Sequence, residues 1–199
     1  PIFGVRGLNN GLADAVNAAW KLAWVLKGEA SEKLLDSYSP ERRGATLDVF
    51  ANAGKSTRFM TPPSQGYRLM RDAALSLALR NDYASRFADP RQVTPYTYAE
   101  SPVTVGDDAD FSAGPMPGAP LINRRLGENN FLLDHLGTGF NLLVFIEDGS
   151  VTPELQATLA DLQEHYRGLD VLVIARHAST AFFTTLIDQQ GACFDGYDA

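Results

Sequence analysis

Two short apolar runs with a helical pattern between them constrain the fold of this chain most strongly. Residues 141–146 and 169–175 are mostly apolar stretches of strand length, and residues 152–167 place Leu155, Leu159 and Leu162 on one helical face. Strand, helix and strand joined by short loops predict a βαβ unit with a parallel pair and a right-handed crossover. A further short helix is expected at about residues 179–190.

The first third of the chain has helical periodicity. Residues 9–28 predict a helix that begins at Asn9 or Asn10 and ends at Gly28, with Trp20 and Trp24 broadening its buried face. Apolar residues at three- and four-residue spacing predict the stripe that faces a core. They are Leu12, Ala15, Val16, Ala19, Leu22, Ala23 and Leu26.

More helices are expected before a proline-rich segment. One stretch opens at Ser31, a helix runs from Ser39-Pro40 to about Phe59, and another spans Tyr67 to about Leu79. The last helix should point Leu69, Met70, Ala73 and Leu77 inward. Prolines punctuate residues 88–122, where Tyr96 and Tyr98 are expected to anchor the segment to the body of the protein. The predicted organisation is residues 1–88, a linker at 89–119, and a second domain at 120–199.

Composition excludes several classes of protein. The net charge is −7, and residues 61–199 carry nine basic and eighteen acidic side chains, which argues against nucleic-acid binding. One cysteine excludes a disulfide framework, and the three scattered histidines (His135, His165 and His177) do not suggest a metal site. The acidic run Asp107, Asp108 and Asp110 lacks the spacing of a calcium loop. With no apolar run of membrane-spanning length and no signal peptide, we expect a cytoplasmic protein with no membrane partner.

The opening segment is the first candidate for chemistry. Gly4, Gly7 and Gly11 lead into the start of a helix, where backbone N–H groups and the helix dipole attract an anion or a polarised oxygen. From spacing alone, a tight loop without a ligand is an equal alternative.

A wider set of residues resembles a known family, the class A flavin-dependent monooxygenases, which are aromatic-ring hydroxylases. The matching positions are Pro1, Gly4, Gly7, Asn9, Gly11, Asp14, Ala15, Asn17, Trp20, Lys21 and Leu22. Further on, Leu34-Leu35-Asp36-Ser37-Tyr38 and Glu41-Arg42-Arg43 resemble the segment that follows in these enzymes.

The resemblance implies an oxidoreductase that uses FAD, with NAD(P)H as co-substrate and a small aromatic substrate. NAD(P)H reduces the flavin, O2 forms a C4a-hydroperoxide, and oxygen is transferred to a phenolic ring. The implied cofactor-binding residues are Pro1, Gly4, Gly7, Leu8, Asn9 and Asp14. Backbone N–H groups around Gly7 would face the flavin pyrimidine edge, while Asp14 is structural or adjacent to the cofactor. No residue of this chain is assigned a catalytic or metal-binding role.

The chain also departs from the family pattern. Val5 and Arg6 replace glycine and an uncharged residue, and Ala13 stands where relatives often carry Gln or Glu. Arg6 would face FAD, a substrate carboxylate or solvent, or form a structural ion pair. The Gly-x-Gly-x-x-Gly fingerprint for the ADP part of FAD is absent, as are the segment contacting the ribityl chain and the sheet that lines the substrate. We therefore expect a fragment that supplies one edge of the FAD site, is inactive alone, and needs the remainder of the FAD domain.

The distal part resembles the C-terminal thioredoxin-like domain of the phenol hydroxylase and hydroxyphenylpropionate hydroxylase branch, beginning at Pro117-Gly118-Ala119-Pro120. The implied fold class is α/β: the helical C-terminal part of a glutathione-reductase-like FAD domain, then a thioredoxin-like domain without Cys-x-x-Cys. Cys193 is expected to be a small buried apolar residue. An alternative function is a non-catalytic module for homodimerisation or bracing. A free-standing thioredoxin-fold redox protein is disfavoured because there is one cysteine.

Overall fold

The computed structural model describes residues 6–88, 95–106, 114–148, 150–177 and 182–199. The chain divides into two compact units. Unit 1 comprises residues 1–105 with 117–119, and unit 2 comprises residues 106–116 with 120–199. Both units contain helices, and the sheets lie in unit 2, so the protein is a mixed α/β structure.

The regular elements among the described residues of unit 1 are all helices, and residues 95–105 and 117–119 are irregular. Its elements are α1 (Arg6–Leu26), a 3₁₀ helix (Glu32–Ser37), α2 (Tyr38–Met60), α3 (Gln65–Ala78) and α4 (Asp82–Ser85). The predicted helices are confirmed within a few residues, with Ser64 capping α3 through a hydrogen bond from the Tyr67 N–H. Gly28 ends α1 as expected, since its φ of +72° lies in the left-handed region that glycine tolerates.

The apolar stripe of α1 faces outward, and the expectation that it faces a core is wrong within this chain. Leu12, Val16 and Leu26 expose 57%, 68% and 85% of their surface, whereas Asn17 and Lys21 on another face are buried. The face of α1 that packs against α2 makes polar contacts, so the apolar stripe lies on a different face of the helix. An exposed apolar stripe of this length is typical of a surface that another segment covers.

The prediction for α3 fails in the same way. Leu69, Met70, Ala73 and Leu77 are exposed, although they were expected to point inward. The periodicity correctly identified an amphipathic helix, but periodicity reports only that one face is apolar and does not say what covers it.

Unit 2 contains the predicted βαβ element. Its strands are β1 (Arg125–Gly127), β2 (Asn130–Phe131), β3 (Phe140–Ile146), β4 (Leu169–Ala175) and β5 (Thr184–Ile187), and its α-helices are α5 (Pro153–His165) and α6 (Ala192–Tyr197). A 3₁₀ helix spans Leu132–His135. Strands β1 and β2 form an antiparallel pair, and β3, β4 and β5 form a sheet in that order. The parallel pairing of β3 with β4 is confirmed, with Phe140 opposite Leu169 and Ile146 opposite Ala175.

The prediction of a helix at about residues 179–190 is wrong for the part of this range that the structure describes. Residues Thr184–Ile187 form β5, which pairs in parallel with Leu172–Ala175 of β4. Threonine and isoleucine favour strands, and the edge of β4 offers unpaired backbone groups for them to bind.

The core of unit 2 is apolar. Its buried cluster comprises Leu132, Leu172, Ile174, Leu186, Cys193 and Phe194. The buried carboxylate of Asp188 accepts hydrogen bonds from three backbone N–H groups at the start of α6, those of residues 192, 193 and 194. None of the helices in the described residues is long and apolar enough to cross a bilayer.

Candidate functional site

The start of α1 differs from its sequence prediction in one respect. Gly7, Leu8 and Asn9 were expected in a turn before the helix, but all three lie in α1, in the first turn of it that the structure describes. The first N–H groups of an α-helix have no acceptor inside the helix, and they carry the positive end of its dipole. Gly7 and Leu8 lie at this end of α1.

This first turn is open on the outside. Gly7, Leu8 and Asn9 are all exposed, with Leu8 at 70%. Apart from its chain neighbours and the backbone of its own helix, no atom of the described residues lies within 4 Å of the point where a Cβ on Gly7 would stand. Pro1 and Gly4, the other two predicted residues of this segment, lie outside the described residues.

Arg42 on α2 holds the part of α1 that follows this turn. Its Nε donates to Asp14 Oδ1 at 2.6 Å, and one Nη donates to the Tyr98 hydroxyl. The other Nη lies 3.4 Å from the Asn10 carbonyl oxygen. The Arg42 side chain is 7% exposed and that of Asp14 is 38% exposed. The predicted site residue Asp14 is therefore the acceptor of a largely buried ion pair.

Glu41, the residue before Arg42, holds α1 farther along. Its Oε2 accepts hydrogen bonds from Lys21 Nζ and Asn17 Nδ2, each at 2.6 Å. Its Oε1 accepts one from Ser101 Oγ, also at 2.6 Å. Consecutive residues on α2 thus bind two successive levels of α1.

Charge is retained in both pairs despite burial. Burial raises the pKa of Glu41, but hydrogen bonds from Lys21, Ser101 and Asn17 outweigh this effect and hold the pKa below its ordinary value. For Arg42, burial lowers the pKa, while hydrogen bonds to Asp14 and Tyr98 raise it above the ordinary value. Both side chains are ionised at neutral pH.

The segment at residues 95–106 is tied to the same network. The Tyr98 N–H donates to the Gly118 carbonyl at 2.8 Å, and Thr104 Oγ1 donates to the Tyr98 carbonyl at 2.7 Å. Tyr96 stacks edge-on against Tyr98, and its hydroxyl lies against Gly44 of α2. The prediction that both tyrosines anchor this segment is confirmed.

Sequence reasoning missed the residues that hold the candidate site together. A second stripe runs along α1 through Asn10, Asp14, Asn17 and Lys21, at the spacing of one helical face. These four residues, together with Glu41 and Arg42 on α2, make most of the hydrogen bonds between α1 and α2, and we call this network the polar joint. Their polarity at helical spacing was a usable signal, although nothing in it identified the partner helix.

The thiol of unit 2 has no sign of redox chemistry. Cys193 is fully buried, as predicted, and burial together with the Asp188 carboxylate raises its pKa to about 11. A thiol must ionise to act as a nucleophile, so this one is inert. Across the described residues, no three His, Cys, Asp or Glu side chains are grouped to hold a metal ion.

Comparison with known protein families gives a match at the start of the chain. Residues 1–53 match the family described as FAD binding domain. This match includes α1 and the part of α2 that carries Glu41 and Arg42.

Curated relatives cover more of the chain. A 3-(3-hydroxy-phenyl)propionate/3-hydroxycinnamic acid hydroxylase of Klebsiella pneumoniae is 30% identical over 148 residues, which are 72% of this chain and 26% of the relative. The enzyme of the same name from Mycolicibacterium gilvum is 32% identical over 146 residues, 70% of this chain and 25% of the relative. The chain thus spans about a quarter of the length of the curated relatives it matches.

Solved structures give similar matches. The rebeccamycin biosynthetic enzyme RebC with reduced flavin has a TM-score of 0.64 and 28% identity, covering 98% of this chain and 36% of that one. RebC soaked with chromopyrrolic acid, with bound 7-carboxy-K252c, has a TM-score of 0.61 and 28% identity over 85% of this chain and 34% of that one.

Proposed function

Since this chain is related to the class A FAD-dependent aromatic-ring hydroxylases, we propose that it forms one edge of the FAD site in such a monooxygenase. Gly7, Leu8 and Asn9 present the first turn of α1 to the flavin, with Pro1 and Gly4 preceding them. Asp14 belongs to the same site as the carboxylate that fixes this end of α1. The whole protein oxidises NAD(P)H and hydroxylates a small phenolic or related aromatic substrate.

The open first turn of α1 is the observation that carries this proposal. Reduced flavin bears negative charge on the pyrimidine side of the ring, and the N-terminus of a helix stabilises negative charge. Gly7 leaves room for the ring because no described atom stands near its Cβ position. When bound, FAD supplies the redox and oxygen-transfer chemistry, while this chain supplies backbone donors and a fixed direction for them.

The exposed apolar stripe of α1 supports the same proposal. Relatives of this chain are about four times longer than the stretch they share with it. We propose that the remainder of the FAD domain covers the stripe, whose exposed members include Leu12, Val16 and Leu26. Burial of these side chains stabilises that contact by about 1.5–3 kcal/mol for each side chain that becomes fully buried.

A pair of glycine substitutions tests this function. Gly7 on α1 and Gly54 on α2 are both helical, with no described atom within 4 Å of the Cβ position. In the whole protein that carries this chain, Gly7→Val should reduce FAD retention, because its side chain occupies the space of the ring. Gly54→Val is the control and should retain FAD. Equal retention in the two variants would contradict the proposal.

FAD titration against the 199-residue chain alone tests whether the site is incomplete. Flavin fluorescence should show no saturable binding at micromolar concentrations, because the residues that hold the ADP part of FAD are absent from this sequence. Saturable micromolar binding would show that this chain forms a sufficient site by itself.

For the distal part, we propose a thioredoxin-like domain at residues 120–199 that braces the protein or forms a homodimer. Residues 89–119 act as the linker or extended segment after the helical FAD portion at residues 1–88, and residues 95–105 and 117–119 of it belong to unit 1. A structural role is supported by the buried, inert thiol of Cys193 in a chain with one cysteine. Sedimentation of residues 115–199 should reveal self-association, and a strict monomer at high concentration would count against the homodimer.

A further inference from the structure

One guanidinium and the carboxylate beside it set the position of α1 on α2. Asn10 and Asp14 bind Arg42, while Asn17 and Lys21 bind Glu41. The four α1 residues lie at successive positions along one face, so the helix is fixed at two levels about two turns apart. Two levels of contact set the direction of a helix axis as well as its position.

Arg42 is the contact nearer to the start of α1. Its planar fork reaches three groups in different directions: Asp14, the Tyr98 hydroxyl and the Asn10 carbonyl. A lysine ammonium at the same position is a single point charge and cannot bridge three groups in fixed directions. The geometry is therefore specific to arginine.

We propose that Arg42 is a positioning residue for the flavin site, because it aims the first-turn N–H groups of Gly7 and Leu8 at the flavin. This inference rests on the proposed function. Asn10 lies one turn after Gly7, so a change in its position is transmitted directly to the first turn. A displaced helix start presents weaker donors to the ring, since electrostatic stabilisation depends on preorganised geometry.

The test uses Arg42→Lys, with Arg43→Lys as its matched control. Arg43 is the next residue on α2 and is exposed, so its substitution makes the same chemical change outside the network. In the whole protein carrying this chain, Arg42→Lys should make the midpoint potential of bound FAD more negative, since the negative reduced flavin loses stabilisation. Arg43→Lys should leave the midpoint potential unchanged.

Amide hydrogen exchange gives a second readout in the 199-residue chain itself. In Arg42→Lys the amides of residues 9–14 should exchange about tenfold faster, as expected for the loss of a hydrogen bond to a charged group. Arg43→Lys should not change them. A purely structural role would lower stability and leave the potential of the bound flavin unchanged.

The outcomes are distinguishable. If Arg42→Lys retains FAD and matches Arg43→Lys in midpoint potential, the positioning role is overturned while the proposed function stands. If the unsubstituted whole protein binds no FAD, both fail. If Arg42→Lys does not fold, Tyr98→Phe replaces it, because it removes one of the three acceptors. A smaller negative shift in the Tyr98→Phe potential supports the role, and an unchanged potential overturns it.

Discussion

The two units of this protein bury opposite kinds of side chain. Among the described residues of unit 1, the buried apolar ones are Ala45, Ala53 and Ala84, and the buried polar ones are more numerous. The polar set comprises Asn17, Lys21, Ser37, Glu41, Arg42, Asn52 and Ser101. In the part of unit 2 that the structure describes, the buried residues are apolar apart from Asp188, which binds backbone N–H groups.

This difference indicates what each unit can do without other parts of a protein. Burial of apolar surface is the dominant favourable term in folding, and unit 2 buries such surface within itself. In unit 1 the polar joint fixes how the helices meet, while large apolar side chains remain exposed. Polar contacts of this kind fix the orientation of the helices, but they add little net stability, because the cost of removing charges from water offsets most of their attraction.

Separating the two units should have the largest effect on stability and on the cooperativity of unfolding. Residues 120–199 should unfold cooperatively by circular dichroism, because their core is contained within the fragment. Residues 1–105 should show a broad transition and bind a hydrophobic dye, because their apolar faces are uncovered. A sharp transition for residues 1–105 without dye binding would contradict the contrast between the units.

A charge left alone in the polar joint should have the next largest effect. Lys21→Ala removes the ammonium group that binds the buried Glu41 carboxylate, and should destabilise unit 1 by about 3–5 kcal/mol. Lys27→Ala is the control, because Lys27 is exposed. Both tryptophans of the chain, Trp20 and Trp24, lie in unit 1, so urea unfolding followed by tryptophan fluorescence reports this unit. Equal midpoints for the two variants would show that the ion pair does not hold the helices.

The apolar environment of unit 2 should suppress thiol chemistry. With a pKa of about 11 in place of 9.0, Cys193 should react at pH 8 about a hundredfold more slowly than an ordinary thiol, since the thiolate is the reactive form. The measurement is colour development with a disulfide reagent, before and after unfolding in urea. A native rate equal to the unfolded rate would contradict the buried position.

Acid should weaken unit 1 through Glu41. A folded-state pKa below the ordinary 4.5 means that the carboxylate contributes stability above pH 4.5. This contribution is lost as the pH falls through the lower pKa of the folded state. Tryptophan fluorescence should therefore show a falling urea midpoint below pH 4.5, and Glu41→Gln should flatten that dependence. The same slope in both proteins would assign the acid sensitivity to another group.

The smallest effect is expected on the outer face of α1. Leu12 is 57% exposed, so Leu12→Gln should change the free energy of unfolding by no more than about 0.5 kcal/mol. Ile174→Gln, at a fully buried position in unit 2, is the contrasting variant and should unfold its unit. A large loss of stability in Leu12→Gln would mean that this stripe is covered within the chain.

Local patterns predicted the elements of both units well. Capping residues, the left-handed Gly28 and the apolar runs of β3 and β4 act over a few residues, so the sequence records them directly. The error at β5 arose because a strand of four residues depends on the neighbouring strand for its formation. The prediction that the apolar faces of α1 and α3 are buried was also wrong, because an apolar stripe does not identify the segment that covers it.

The candidate site was predicted in part. The glycines and Asp14 pointed to the start of α1, but residues 6–8, which were expected to precede the helix, are already helical. Arg42 was quoted only as part of a matched segment, and its function depends on groups 28 and 56 residues away in the chain. Long-range side-chain contacts of this kind leave no periodic trace in one sequence.

Gly118 has no side chain, yet it supports the polar joint, because its carbonyl accepts a hydrogen bond from the Tyr98 N–H. Its φ is +79°, and an added Cβ would lie 2.5 Å from the Tyr98 carbonyl carbon. Even a single methyl group there would displace Tyr98, the aromatic partner of Arg42. Under the proposed function, a substitution of Gly118 should therefore alter flavin affinity from a distance, and a screen restricted to residues near the cofactor would overlook it.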